Sequence, residues 1–264
     1  LDPENDLAEL GRALNLPSPP ERIDGFDISN ISGTFAVASL VCFRHGRPDR
    51  ANYRRFKMKT VVGQDDFACI AETIRRRYSR MLREQRGEAP PPDDEAAKAI
   101  VDELRTLLAR PSEARQESTP ASALPSLILI DGGKGQLNAA CAELAQLGLS
   151  QIPVIGLAKE FEEIHRPGVS EPLRLSHASG ALKLLQRIRD ESHRVANSYN
   201  AQLRLRKISE SILDEFPGIG EQRKAALLKK FGSIQRLRLA TLEQIAEVPG
   251  FGGKSAADLM AFLE

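Results

Sequence analysis

The sequence predicts an α/β protein: a mixed β-sheet flanked by helices, followed by a small all-α module. Three observations carry this reading. Residues 22–59 hold three strand-like stretches separated by short turn signals, the pattern of an antiparallel meander. Beyond them, short apolar runs alternate with segments of helical periodicity, and strand–helix–strand units require a parallel part of the sheet. Near the C-terminus, Phe216-Pro217-Gly218-Ile219-Gly220 recurs 32 residues later as Val248-Pro249-Gly250-Phe251-Gly252. Each copy lies between helical patterns, which marks a duplicated helix–hairpin–helix.

The first strand is expected over residues 23–28, the second over 34–43 and the third over 53–58, where basic and apolar residues alternate. Ser32-Gly33 and His45-Gly46 supply the turns. Phe67, Ile70, Ile74, Tyr78 and Met81 then recur at helical spacing, with Asp65 and Asp66 placed as N-cap and first-turn acid. Residues 127–130 are wholly apolar and short, as in a buried strand, and Asp131-Gly132-Gly133 ends them. Leu137, Ala140, Cys141 and Leu144 mark the next helix, residues 153–157 another strand, and residues 181–206 a long helix. Pro90-Pro91-Pro92 opens a stretch of different composition. Residues 87–125 therefore read as an insertion, with an exposed helix over 94–108 and poor order near 112–122. The expected domains are 1–206 and 207–264.

Lys and Arg total 37 against 36 Asp and Glu, a net charge of +1, which excludes an indiscriminately polycationic binder. The average conceals segregation. Residues 44–59 carry net +6, 75–86 net +5 and 179–206 net +4, against −4 in both 1–24 and 87–117. Any one such run is also what a solvated face looks like. No apolar run approaches a membrane span. Cys42, Cys69 and Cys141 are scattered, odd in number and set among apolar residues, so they read as core filler in a reducing compartment.

The repeated Pro-Gly-x-Gly is the most specific motif. Its glycines let the chain turn tightly and bring backbone N–H groups to a helix N-terminus, an anion site suited to phosphate. Gly218, Gly220, Gly250 and Gly252 are thus candidate DNA contacts, with Lys224 and Lys254 adding charge. Asp27, flanked by apolar strand residues, and Asp131, at the end of the central strand, would meet if their strands were adjacent. Such a carboxylate pair can hold Mg²⁺ or Mn²⁺. Either residue alone would equally serve as a turn or cap. His193 lies near the edge of the buried face of the long helix.

Taken together, Phe26-Asp27-Ile28-Ser29, Tyr53-Arg54-Arg55-Phe56, Asp65-Asp66, Arg75-Arg76-Arg77-Tyr78, Ile130-Asp131-Gly132-Gly133-Lys134-Gly135-Gln136 and Arg189-Asp190-Glu191-Ser192-His193 resemble the C-terminal half of the UvrC family. These are the nucleases of bacterial nucleotide excision repair, and the resemblance runs from about residue 10 to residue 264. It implies an RNase H-like fold and a metal-dependent DNA endonuclease that cuts 5′ to a lesion. Asp27, Asp131 and His193 match its catalytic, metal-holding positions, and Asp66 a further acidic one. Arg54, Arg55, Lys134 and Arg189 are then expected to contact DNA or scissile phosphate. The implied partners are damaged double-stranded DNA and UvrB, with UvrA upstream, in the cytoplasm. One ion or two is left open. The rival readings are a non-catalytic DNA-binding scaffold and another RNase H-like nuclease. The family's N-terminal GIY-YIG domain is not seen and the sequence begins at Leu1, so a piece of a longer protein is expected.

Overall fold

The structure, a computed structural model, describes residues 2–31, 35–61, 63–88 and 124–264. The Ser32-Gly33 turn and nearly all of the expected insertion, including its helix over 94–108, lie outside the described residues. The chain divides into two compact units, Leu1–Asn197 and Ser198–Glu264.

In the first unit a helix α1 (Pro3–Ala13) precedes strands β1 (Arg22–Ile31), β2 (Phe35–Arg44), β3 (Arg47–Pro48) and β4 (Arg54–Lys57). Helix α2 (Asp66–Gln85), β5 (Leu127–Asp131), α3 (Lys134–Gln146), β6 (Val154–Ala158), β7 (Glu163–His165) and α4 (Gly180–Asp214) follow. The sheet order is β3-β2-β1-β5-β6-β7, with β4 also on β2. β1 pairs antiparallel with β2 and parallel with β5, and β5 pairs parallel with β6, so the sheet is mixed as expected.

The expected third strand is broken into β3 and β4. His45 and Gly46, at φ 48° and 73°, make the tight turn, and Pro48, which has no N–H to donate, ends β3 after two residues. A 3₁₀ turn over Arg50–Asn52 then re-enters the sheet as β4. Helix α1 was not read from the sequence. It docks through Glu9, whose carboxylate accepts from Ser179 Oγ (2.6 Å) and Gly180 N (3.0 Å) at the start of α4. These bonds lower the pKa of Glu9, and an anion there also suits the helix dipole.

Strand alternation splits the core into two layers. Ile23, Val41, Leu127 and Leu129 face a cluster that includes Leu185 and Ile188 of α4. Phe26, Leu40, Ile128 and Ile130 face the opposite cluster, with Ile70 and Ile74 of α2 and Leu137 of α3. The parity fixes the site: Asp27 continues the Ile23 face and Asp131 the Leu129 face, so both carboxylates look toward α4.

Cys42 and Cys69 are fully buried and free, as the filler reading expects, whereas Cys141 is free but only partly buried; burial pushes the Cys42 thiol up to about 12. Among the described residues no helix is long and apolar enough to cross a membrane.

The second unit contains the C-terminal end of α4, then α5 (Glu221–Phe231), α6 (Ile234–Arg238), α7 (Leu242–Ala246) and α8 (Gly253–Leu263). The helix expected just before the first hairpin is the end of α4 itself. No glycine or proline interrupts residues 198–214, so the helix runs on. Leu213, Leu227, Ile245, Ala256 and Leu259 form its core.

Asp24, fully buried on β1, accepts from Arg22 Nε at 3.0 Å and from Tyr78 Oη at 2.9 Å. Burial and this carboxylate raise the phenol of Tyr78 well above its usual range. A Tyr78→Phe substitution removes one donor from a buried charge. We expect it to lower the unfolding free energy by about 1–3 kcal/mol in urea titration. An unchanged midpoint would show that Asp24 does not depend on the tyrosine.

Candidate active site

The last β1–β5 register pair is Phe26 with Ile130, so the next residues are neighbours: Asp131 ends β5, and Asp27 stands in mid-β1, where pairing with β5 stops and pairing with β2 continues. The carboxyl ends of parallel strands, here that of β5, are where α/β proteins place their sites. Helix α4 brings His193 onto the same face. Its Nδ1 lies 3.0 Å from Asp27 Oδ2, and ligand atoms of Asp27, Asp131 and His193 all fall within 4.8 Å of one another. The two carboxylates are almost wholly buried, whereas the imidazole is 49% exposed.

Two features bring α4 this close. Gly25, two residues before Asp27, lies under Ile188, and a Cβ there would sit 2.5 Å from Ile188 Cγ2. Ser39 pairs with Asp27 across β1–β2, and its hydroxyl donates to the carbonyl of Ser192 at 2.6 Å. Ser39 therefore pins the turn of α4 that carries His193. No sequence signal singled it out, because a serine in an apolar strand reads only as a tolerated polar residue.

The donor set fits a divalent cation. Asp131 Oδ2 is buried without a hydrogen-bond partner, with the Lys159 ammonium 3.4 Å away. Burial first, and the Asp131 charge second, push the Asp27 carboxyl from 3.8 up to about 6, against the lowering pull of His193. Two buried carboxylates that repel each other call for a cation, and an imidazole beside them supplies a third ligand. Asp66 is not part of this group. It opens α2 behind the Asp65 N-cap and accepts from the Asn30 side chain at the end of β1.

The expected DNA contacts are placed unevenly. Arg54 donates to the carbonyls of Ala51 and Tyr53, at 2.9 and 2.7 Å, and Arg55 is exposed on β4. Lys134 donates to Ser170 O at 2.6 Å, and Arg189 grips Glu162 through bonds of 2.9 and 2.7 Å. Much of the basic excess is paired in the same way: Arg75 with Glu143, Arg80 with Glu84, Arg187 with Asp6, Arg194 with Glu191.

In the second unit, Gly218 and Gly250 turn the hairpins at φ 73° and 87°, which favours glycine. Gly220 and Gly252 cap α5 and α8 with no side-chain hydrogen bond, whereas α6 and α7 use Ser233 and Thr241. The helices after the hairpins thus present first-turn amides without a competing side-chain cap. Lys254 is exposed, but Lys224 is buried between Asp214 and Glu221, at 2.6 and 2.7 Å. Arg223 links the hairpins: it donates to Gly218 O at 3.2 Å and lies 4.3 Å above the Phe251 ring.

Fold and site together define an RNase H-like domain followed by a tandem helix–hairpin–helix. Residues 11–196 match the family described as UvrC RNAse H endonuclease domain, and residues 210–264 match SAM-like Helix-hairpin-helix tandem. The chain belongs to the UvrC RNase H endonuclease domain family. It is 46% identical to UvrABC system protein C of Dehalococcoides mccartyi, over 97% of this chain and 37% of that one. With the protein of that name from Methanosphaera stadtmanae it shares 41%, over 99% of this chain and 39% of the other. The chain thus spans little more than a third of these relatives. The solved structure of Ciona intestinalis Endonuclease V with inosine-containing DNA overlaps it at TM-score 0.35 and 13% identity, covering 70% of this chain and 87% of that one.

The raised Asp27 value fixes a pH dependence. The folded metal-free protein holds this proton up to about pH 6, the unfolded chain only to about 3.8, so stability falls as pH rises through that window. At about 1.4 kcal/mol per unit the loss above pH 6 is of order 2–3 kcal/mol. Asp27→Asn should remove it. In urea unfolding with EDTA, we expect the variant to gain on the wild type between pH 4 and pH 8; parallel pH profiles would refute the assignment. For the hairpins, Gly218→Ala should cost about 1–2 kcal/mol for its left-handed backbone alone. Gly250→Ala should cost more, since its Cβ would meet Arg223 Cγ at 3.0 Å. Thermal unfolding of the two variants ranks them, and equal losses would contradict the contact.

Proposed function

We propose that this chain carries the phosphodiester-cleaving centre of a DNA endonuclease that makes the incision 5′ to a lesion in nucleotide excision repair. The observation that carries this reading is the meeting of Asp27, Asp131 and His193 where the parallel pairing of β1 and β5 ends. A bound Mg²⁺ or Mn²⁺ would supply charge for the scissile phosphate and acidify water. The residues of the chain do the remaining work. Asp27, Asp131 and His193 would hold the cation, and the burial of the two carboxylates keeps competing water away. The contact between His193 Nδ1 and Asp27 would orient the imidazole within that donor set. Lys159 balances Asp131 and is exposed enough to swing toward an incoming phosphate. Asp66, outside the group, suits an outer role in ordering water or substrate.

The paired hairpins hold the duplex through backbone amides, which fix position without reading sequence. Damaged duplex is the substrate in this reading, delivered by UvrA and UvrB. A DNA-binding scaffold would need neither the buried carboxylate pair nor the imidazole beside it, and keeping such a pair in a sheet is costly.

A nicking assay on a lesion-bearing duplex, with UvrA, UvrB and Mg²⁺ or Mn²⁺, tests the proposal. Asp27→Asn, Asp131→Asn and His193→Ala should each slow the 5′ nick by about 10²-fold or more. Duplex affinity should stay within about twofold, since the hairpins carry much of it. Undiminished nicking by Asp27→Asn would overturn the reading.

A further inference from the structure

Two phenylalanine rings stand exposed on segments that adjoin the candidate active site, and the proposed chemistry uses neither. Phe67 is 53% exposed and Phe161 59% exposed, whereas Phe26, Phe43 and Phe56 of the same unit are buried. Burying such a side chain is worth about 1.5–3 kcal/mol. Single exposed apolar residues need no explanation, but two rings on segments that adjoin Asp131 and its Lys159 partner invite one.

Both rings are fastened to elements that carry the site. Phe67 follows Asp66 in the first turn of α2, and its ring rests on Gly135 of α3. A Cβ at Gly135 would lie 2.5 Å from two ring carbons, so the glycine leaves the ring its seat. Helix α3 begins just after Asp131 and the two glycines that follow it. Phe161 occupies the β6–β7 turn. Lys159, two residues earlier, pairs with Asp131, and Glu162, the next residue, is gripped by Arg189, one turn of α4 before His193. Glu162 takes φ 51°, a left-handed backbone that a non-glycine residue adopts only when its surroundings hold it there. The Arg174 guanidinium, paired with Glu163, lies 5.7 Å from the Phe161 ring centre.

We propose that Phe67 and Phe161 are stacking posts for unpaired nucleobases of the strand whose phosphate enters the site. Inside an intact duplex the base faces are already covered by their neighbours, so the rings have nothing to bind. Where the duplex is opened, each free base offers a π-face. Base–aromatic stacking is worth about 1–3 kcal/mol per base and tolerates any sequence, and Arg174 adds cationic character on one side. The rings would thus favour locally opened DNA without reading its sequence. This rests on the site being a DNA-cleaving one, and deepens that reading with a preference for opened substrate.

The test measures binding by the 264-residue chain in EDTA, where no cleavage occurs. One probe is a duplex with a short unpaired bubble. The other is the same duplex with abasic nucleotides in place of the unpaired bases. Phe67→Leu and Phe161→Leu keep apolar bulk but lose the π-face; Phe→Tyr restores it. Each Leu variant should weaken binding of the base-containing bubble about fivefold or more. Both should bind the abasic probe like the wild type, and the Tyr variants should match wild type on both. Unchanged affinity for the base-containing bubble would overturn the proposal. So would equal losses on the two probes, which would show mere packing or misfolding. Because no metal is present, this result stands apart from the nicking assay: the stacking posts can fail while Asp27→Asn still abolishes cleavage, and the reverse.

Discussion

Two carboxylates of like charge, buried side by side where the parallel pairing of β1 and β5 ends, are the constraint on which the rest of the first unit depends. Asp27 and Asp131 cannot both be ionised there at low cost, and the rise of Asp27 to about 6 records that cost. Three things offset it. Lys159 stands 3.4 Å from Asp131, His193 shares a hydrogen bond with Asp27, and the donor set has the shape of a cation site. The fold accepts local instability at this point, as active sites commonly do.

The scaffold around the pair is correspondingly rigid. Strand alternation gives both residues one face, Gly25 lets α4 approach, and Ser39 fixes the turn bearing His193. Helix α1 caps the start of α4 through Glu9, and Arg187 on α4 pairs with Asp6 of α1. The β6–β7 turn is bound to α4 through Glu162 and Arg189. The position of His193 is therefore set from several sides at once, which a member of a fixed donor set requires.

The sheet and the carboxylate pair were legible because they rest on short-range patterns. An apolar run ended by Asp-Gly-Gly and another around Phe26-Asp27-Ile28 disclose two strands, and parallel neighbours follow from the helices between them. What was not legible depends on distance in the chain. Ser39 to Ser192 and Arg189 to Glu162 join residues that no local pattern relates. The charge of the three basic segments was legible, but not its pairing: Arg75 meets Glu143, Arg187 meets Asp6 and Arg189 meets Glu162, acids remote in the chain. For Lys224 a signal was available: the 32-residue repeat aligns it with Ala256, a fully buried position, and aligns Lys254 with Gln222. Arg223, which joins the hairpins, aligns with Ser255, so the duplication is asymmetric where its copies touch.

The central claim is that Asp27, Asp131 and His193 form one cation site. Diffraction from crystals soaked in Mn²⁺, with data collected at the manganese absorption edge, measures this directly. We expect an anomalous peak bonded to both carboxylates and the imidazole, with Lys159 drawn away from Asp131. A peak elsewhere, or none at saturating Mn²⁺ with the three side chains unmoved, would contradict the claim.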